Sequence, residues 1–174
     1  MKRTLTALVN NSSGVLNRIT GLFARRHYNI ESITVGVTEN PAISRMTFVV
    51  QVDNMSNIEQ VTKQLNKQVD VLKVKDITDE SIIARELALI KIVVTPQQRA
   101  EVAALVNPFR ASILDVGKES MTVQITGDDQ KVETFIDLLK PYGIKDIART
   151  GITAFNRGSS KKSSHDINRL TLIN

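Results

Sequence analysis

Apolar and polar residues alternate along two neighbouring stretches in the first third of the chain. The alternation covers residues 33–37 and 46–52. A period of two predicts half-buried strands that face one core. Residues 5–9 and 71–77 are also rich in apolar residues and are predicted strands.

Apolar residues at helical spacing fill the gaps between these strands. The first helix is expected to be capped by Ser12 or Ser13. The second begins at Ser56-x-x-Glu59, which has the form of a capping box. The first helix would bury a stripe made of Val15, Leu16, Ile19, Leu22 and Phe23. The order of elements is therefore strand, helix, strand, strand, helix, strand.

The same order returns from residue 86. Thr95-Pro96-x-Gln98 opens the next helix, and Pro108 is expected to end it. The last helix is opened by Asp128 or Asp129 and stops at Pro141. The predicted strands of this half are residues 87–94, 113–116, 121–125 and 144–155. One architecture thus occurs twice, at an offset of about eighty residues.

Each copy has the order of a ferredoxin-like βαββαβ domain, an antiparallel sheet covered on one face by two helices. The expected class is α+β with two tandem domains. We place the first domain at residues 1–78, a connector at 79–85 and the second domain at 86–156. This fold hosts many functions, so function must be argued from local sites.

Composition and charge exclude several functional classes. The chain lacks cysteine and has two histidines, which leaves no set of residues for a thiolate site or a two-histidine zinc site. Aromatic residues make up only 4%, so the base-stacking surface of an RNA-binding sheet is missing. There is no signal-peptide core and no apolar run long enough for a membrane span. We therefore expect a cytoplasmic protein without nucleic-acid or membrane partners.

The net charge of +5 is concentrated at the C-terminal end. Residues 1–80 carry ten Lys/Arg against eight Asp/Glu, and residues 81–156 carry nine against nine. Residues 157–174 carry four against one, with the composition of a flexible basic tail.

The turn between the first strand and the first helix is the most informative segment for function. A helix N-terminus offers free N–H groups and partial positive charge, which suit a carboxylate or phosphate. Gly14 lets a ligand approach the backbone, and Asn11 adds an amide. The same residues also make an ordinary turn and cap, which the chemistry of the segment alone favours.

Two neighbouring segments could likewise have either a ligand-binding or a structural role. Arg25-Arg26-His27 could bind an anion, but cations commonly complement the dipole at the end of a helix. Asn29 either caps a turn or presents its amide to a ligand. No phosphate loop, dinucleotide fingerprint or nucleophile elbow occurs in the chain.

Several motifs together resemble the ACT domain of acetolactate synthase regulatory (small) subunits. The resemblance covers about residues 2–158. It rests on Asn11-x-x-Gly14-x-Leu16-x-Arg18-Ile19-x-Gly21-Leu22-Phe23, Tyr28-Asn29-Ile30-Glu31-Ser32-Ile33-Thr34-Val35, Arg85-Glu86-Leu87-x-Leu89-Ile90-Lys91 and Ala148-Arg149-Thr150-Gly151.

The resemblance implies a non-catalytic subunit that activates a catalytic partner and makes it sensitive to a branched-chain amino acid, usually valine. Thiamine diphosphate, magnesium and FAD would belong to that partner, and this chain would hold no cofactor. Two ACT domains would pair into a homodimer with the effector at their interface. The effector's carboxylate would be held by Asn11, Ser13, Gly14, Val15 and Leu16 of one protomer, and its ammonium and side chain by Asn29 and Ile30 of the other.

One residue departs from the family pattern. At position 27 the family usually has glycine, which suits a left-handed backbone after a helix, whereas this chain has His27. The competing functions are a free-standing amino-acid sensor, a nucleic-acid-binding protein and a small enzyme on the same fold.

Overall fold

The computed structural model describes residues 1–158, which form two antiparallel sheets with two α-helices each. The first unit consists of β1 Lys2–Asn10, α1 Val15–Arg25, β2 Asn29–Val37, β3 Ile43–Gln51, α2 Met55–Leu65 and β4 Val71–Asp76. Its strand order is β2-β3-β1-β4. A flexible tail is predicted at 157–174, and its residues 159–174 lie outside the described residues.

The second unit repeats this arrangement. It consists of β5 Ile82–Val93, α3 Arg99–Val106, β6 Ser112–Val116, β7 Ser120–Gly127, α4 Asp129–Leu139, β8 Ile144–Arg149 and β9 Thr153–Asn156. The order β6-β7-β5-β8 matches that of the first sheet, so the predicted pair of ferredoxin-like α+β units is confirmed. No helix within residues 1–158 is long and apolar enough to cross a bilayer.

Each unit has its own core between the sheet and its helices. In the first, Phe23 of α1 packs on Phe48 of β3 with ring centroids 5.3 Å apart. In the second, Phe109, after α3, packs on Phe135 of α4 with ring centroids 5.1 Å apart. Most buried positions follow the periods of 2 and 3.6 on which the predictions were based, but Leu16 of the predicted stripe and Val35 and Val37 of the predicted strand are exposed.

Two predicted helix caps are wrong. Gly14, at φ +81°, occupies the N-cap of α1, and neither Ser12 nor Ser13 caps the helix with its side chain. Helix α2 begins two residues earlier than a Ser56 capping box would start it, because the Asn54 side chain accepts the N–H of Asn57 at 3.0 Å. An extended asparagine at the end of the preceding loop thus competes successfully with the serine.

Two other helix starts are as predicted. Thr95 and Gln98 form a capping box on the short 3₁₀ turn Pro96–Gln98, which leads into α3. Asp128 caps α4 by accepting the N–H of Lys131 at 2.9 Å.

The last strand is broken, whereas the sequence predicts one strand over 144–155. Gly151 adopts φ +78°, and the chain leaves β8 there and re-enters the sheet as β9. Both strands pair with β5, whose residues 82–85 extend the strand into the segment expected to be a connector. The extension is paired because β9 supplies the missing hydrogen-bonding edge.

The turn between β8 and β9 lies on the face of the first sheet that α1 and α2 leave uncovered. A small core of Val49, Ile77, Ile152 and Ala154 forms there. The Thr34 hydroxyl donates to the Ile152 carbonyl at 3.0 Å. The C-terminal strand therefore packs the two units together.

Candidate functional site

The turn between β1 and α1 is held in place by the loop before β3. The Asn11 N–H donates to the Ala42 carbonyl at 2.7 Å, and the Asn11 side-chain amide donates to the Pro41 carbonyl at 2.9 Å. Asn11 therefore fixes the turn, which is the ordinary turn-forming role that the sequence analysis gave as the alternative to ligand binding.

Within residues 1–158, the N–H groups of Leu16 and Asn17 at the start of the helix have no backbone acceptor, whereas that of Val15 donates to the Ser12 carbonyl at 3.4 Å. The Arg18 N–H makes the first bond one turn back, to the Gly14 carbonyl at 3.0 Å. Val15 is buried in the core, whereas Leu16 is 46% exposed. Because Gly14 is exposed and has no Cβ, a carboxylate can approach this end of the helix directly.

Arg18 is the residue that the sequence analysis missed. Its Nη1 lies 3.0 Å from where a Cβ on Gly14 would stand. Asp70 orients the guanidinium through Nε at 2.8 Å and Nη2 at 2.6 Å. The signal was available, since Arg18 follows Gly14 by four residues and such residues lie on one helix face.

Asn29 and Ile30 lie far from this turn in the same chain. They begin β2 and pair with Gln51 and Val50 at the end of β3. The turn adjoins the start of β3, because Asn10 pairs with Ile43. Eight residues of extended strand separate the two places, a span of about 26 Å. The structure thus groups Asn11, Ser13, Gly14, Val15 and Leu16 but does not bring Asn29 and Ile30 to them within one chain.

The Asn29 end of β2 also borders the junction between the units. A β-bulge between Ile30 and Ser32 leaves Glu31 without a partner residue in β3. A bulge re-aims the side chain it carries, and Glu31 pairs with Lys2 at 3.2 Å. Lys2 also contacts Asp129 of α4 at 3.2 Å. Burial would lower the pKa of Lys2, but hydrogen bonds to these two carboxylates raise it above its ordinary value.

Arg149 continues this network inside the second unit. It binds the buried Glu86 through Nε at 2.8 Å and Nη2 at 2.7 Å, and Glu133 through Nη1 at 2.6 Å. These carboxylates, Glu86 foremost, raise the pKa of Arg149 further above its usual value. A cavity of about 480 Å³ lies beside the network. The ion pairs therefore connect β2 of the first unit with α4 and β8 of the second.

Comparisons with known proteins match both units. Residues 5–73 match the family model of the AHAS small subunit-like ACT domain, and residues 85–158 match that of the small subunit of acetolactate synthase. The acetolactate synthase small subunit of Bacillus subtilis is 62% identical over 164 residues, which is 94% of this chain and 95% of that protein. This chain belongs to the acetolactate synthase small-subunit family.

Other members confirm the assignment. The probable acetolactate synthase small subunit of Archaeoglobus fulgidus is 52% identical over 161 residues, covering 92% of this chain and all of that protein. The crystal structure of the small subunit from Thermotoga maritima has a TM-score of 0.82 at 42% identity. It covers 91% of this chain and 99% of that one, so the family likeness includes both units.

Proposed function

We propose that this chain is the non-catalytic regulatory subunit of an acetolactate synthase. It activates the catalytic subunit, which supplies the thiamine diphosphate, magnesium and FAD, and it confers feedback inhibition by a branched-chain amino acid, valine first. The proposal rests on one observation, the match of both units to this family at residues 5–73 and 85–158.

The effector's carboxylate binds at the start of α1. The left-handed Gly14 and the free N–H groups of the first turn form the cradle, and Arg18, held by Asp70, adds a positive charge beside it. Carboxylates at helix N-termini are stabilised by both the N–H groups and the helix dipole.

The ammonium and side chain bind at Asn29 and Ile30 of a second protomer. The distance between the two half-sites in one chain supports this arrangement, because one copy cannot supply both halves to a small amino acid. Pairing two copies at the exposed edge strand β2 brings the halves together. One methylene changes binding by only about 1–3 kcal/mol, so leucine and isoleucine compete with valine to some degree.

Inhibition requires that the effector bind one state of the complex better than the other. Effector at the β2 edge rigidifies or rotates the pair of ACT domains. The network from Glu31 through Lys2 to Asp129 carries that change to the second unit, which relays it to the catalytic subunit.

A valine titration of acetolactate formation tests the proposal. The catalytic subunit is assayed with and without this chain, and we expect activation that valine reverses. Activation without inhibition would point to an altered effector site, with His27 as the first residue to examine. No activation by the cognate pair would favour a free-standing amino-acid sensor instead.

Gly14→Asp tests the carboxylate half-site. The new carboxylate occupies the anion cradle next to Arg18, so valine inhibition is expected to disappear while activation persists. Gly158→Asp is the control, because Gly158 has a similar φ of +73° in open space. Loss of both activation and inhibition in the Gly14 variant would indicate misfolding or a shared surface, and unchanged inhibition would refute the assigned half-site.

A further inference from the structure

A groove of about 420 Å³ lies between the C-terminal ends of α1 and α2. Arg25 and Arg26 border it from α1, and Lys67 borders it from the turn after α2. Its other lining residues are Leu22, Gln64 and Gln68, so no carboxylate of residues 1–158 lines the groove. The sequence placed two of these cations at one helix end, and folding adds the third from a separate helix.

The helix ends do not need these cations as caps. In α1, the Phe23 carbonyl accepts the N–H groups of Arg26 and Tyr28, both at 3.1 Å. In α2, the Leu65 carbonyl accepts the N–H of Gln68 at 3.0 Å. The last carbonyls are therefore bonded to the backbone, which weakens the explanation by capping alone.

Several cations elsewhere in residues 1–158 are neutralised by a nearby carboxylate, whereas the three groove cations are not. Lys2, Arg3, Arg18, Lys75 and Arg149 each hold a carboxylate within 3.2 Å. Within residues 1–158, Arg25, Arg26 and Lys67 form no ion pair. The groove is thus a local excess of positive charge that the fold does not use.

An exposed valine closely follows one of the three cations in the sequence. Val69 is 93% exposed, two residues after Lys67 in the turn that leads to β4. An isolated exposed apolar residue is ordinary on a surface, but this one is two residues from an uncompensated cation in the sequence. Together they offer a partner both ion pairs and an apolar contact.

The position of the groove narrows the choice of partner. The opposite face of the first sheet is covered by the second unit, and the proposed effector site occupies the β2 edge. Within residues 1–158, the helix face of the first unit is covered neither by the second unit nor by the proposed effector site. A second copy placed on this face by two-fold symmetry would oppose like charges, which is unfavourable.

We infer that this groove docks an acidic segment of the catalytic subunit, with Arg25, Arg26 and Lys67 pairing with its carboxylates and Val69 packing against an apolar residue. The inference rests on the proposed function and adds the surface through which activation takes place. Charge complementarity of this kind speeds association and is weakened by salt.

The test measures how much of the full-length chain is needed for half-maximal activation of the catalytic subunit. Arg26→Glu combined with Lys67→Glu is expected to raise that concentration roughly tenfold or more. Lys145→Glu, an equal charge reversal at an exposed strand residue of the second unit, should leave it within about twofold. Raising NaCl from about 50 to about 500 mM should raise the wild-type value much more than that of the double variant.

Valine binding by each chain alone is measured by calorimetry. This measurement distinguishes a loss of docking from a loss of folding or a damaged effector site. A docking variant binds valine as the wild type does. If the double variant is misfolded, Arg26→Gln combined with Lys67→Gln must show a smaller shift of the same sign. If both double variants activate the catalytic subunit as well as the wild type does, the docking surface is wrong but the proposed function stands. If the wild-type chain does not activate the catalytic subunit, the proposed function is wrong and the inference falls with it.

Discussion

Two non-glycine residues within residues 1–158 have a left-handed backbone, His27 at φ 56° and Arg110 at φ 50°. The two lie in the same place in the repeat. The N–H of each bonds three residues back, and the next N–H bonds five back, to Phe23 in one unit and to Val106 in the other. This is the pattern of a Schellman motif, in which the left-handed residue is usually glycine.

Replacing either residue with glycine should stabilise the protein. The left-handed conformation costs an L-residue roughly 1–2 kcal/mol, and glycine recovers most of this while losing part to its freer unfolded chain. We expect His27→Gly and Arg110→Gly each to raise the free energy of unfolding by about 1 kcal/mol. Urea denaturation with an unchanged m-value measures this, and His27→Ala, which keeps the strain, should show no gain. A loss of stability in both glycine variants would contradict the assignment of strain.

The left-handed backbone could be predicted from the sequence at one of these two positions but not at the other. The left-handed backbone at position 27 was predictable because relatives usually have glycine there. Arg110 carries no such signal, since arginine gives no hint of its φ. The spacing of Arg18 from Gly14 could be read from the sequence, but spacing alone does not show that the guanidinium lies over Gly14.

At the scale of elements, the start of α2 shows which of two possible N-caps forms. Asn54 and Ser56 both have side chains suited to capping α2, and the two alternatives start the helix two residues apart. The structure selects Asn54, whose extended backbone directs its side chain to the Asn57 N–H.

Asn54→Ala is expected to lower the free energy of unfolding by about 1 kcal/mol, because the Asn57 N–H loses its partner. Ser56→Ala is the matched control and should change stability by less than about 0.5 kcal/mol. Chemical denaturation of the two variants under one set of conditions measures both changes. A larger loss in the serine variant would restore the capping box that the sequence predicts.

Strands and helices were otherwise predictable because their signal is periodic and many residues contribute to it. The exception is the break at Gly151, where residues 144–155 read as one apolar stretch. Its cause is non-local. Residues 150–152 face only Glu86 and Leu87 of β5, so the chain must bulge where it passes from one stretch of β5 to the next.

At the scale of the molecule, the junction between the units could not be read from the sequence. Each unit fills its own core, and periodicity says nothing about which faces meet. The junction consists of a few apolar residues around Val49 and Ile152, the Thr34 hydrogen bond and the Lys2–Asp129 ion pair. A junction this small suits a relay, because a modest change in one unit can alter its contact with the other.

Gly151→Ala tests both the packing and the relay. A Cβ at Gly151 would lie 2.8 Å from the Ser32 Cβ, and φ is +78°. The clash and the left-handed backbone together should cost roughly 2–3 kcal/mol of unfolding free energy. Gly158→Ala, at φ +73° with open space around it, carries the backbone cost alone, about 1 kcal/mol.

The same pair of variants distinguishes a relay from simple packing. If the second unit relays the effector signal, Gly151→Ala raises the valine concentration for half-inhibition while the catalytic subunit is still activated. Gly158→Ala leaves that concentration unchanged. Valine titrations below the melting temperature of both variants make the comparison. An unaltered titration in a destabilised Gly151→Ala chain would mean that the junction holds the units together without carrying the signal, and the relay would then have to run through the paired ACT domains alone.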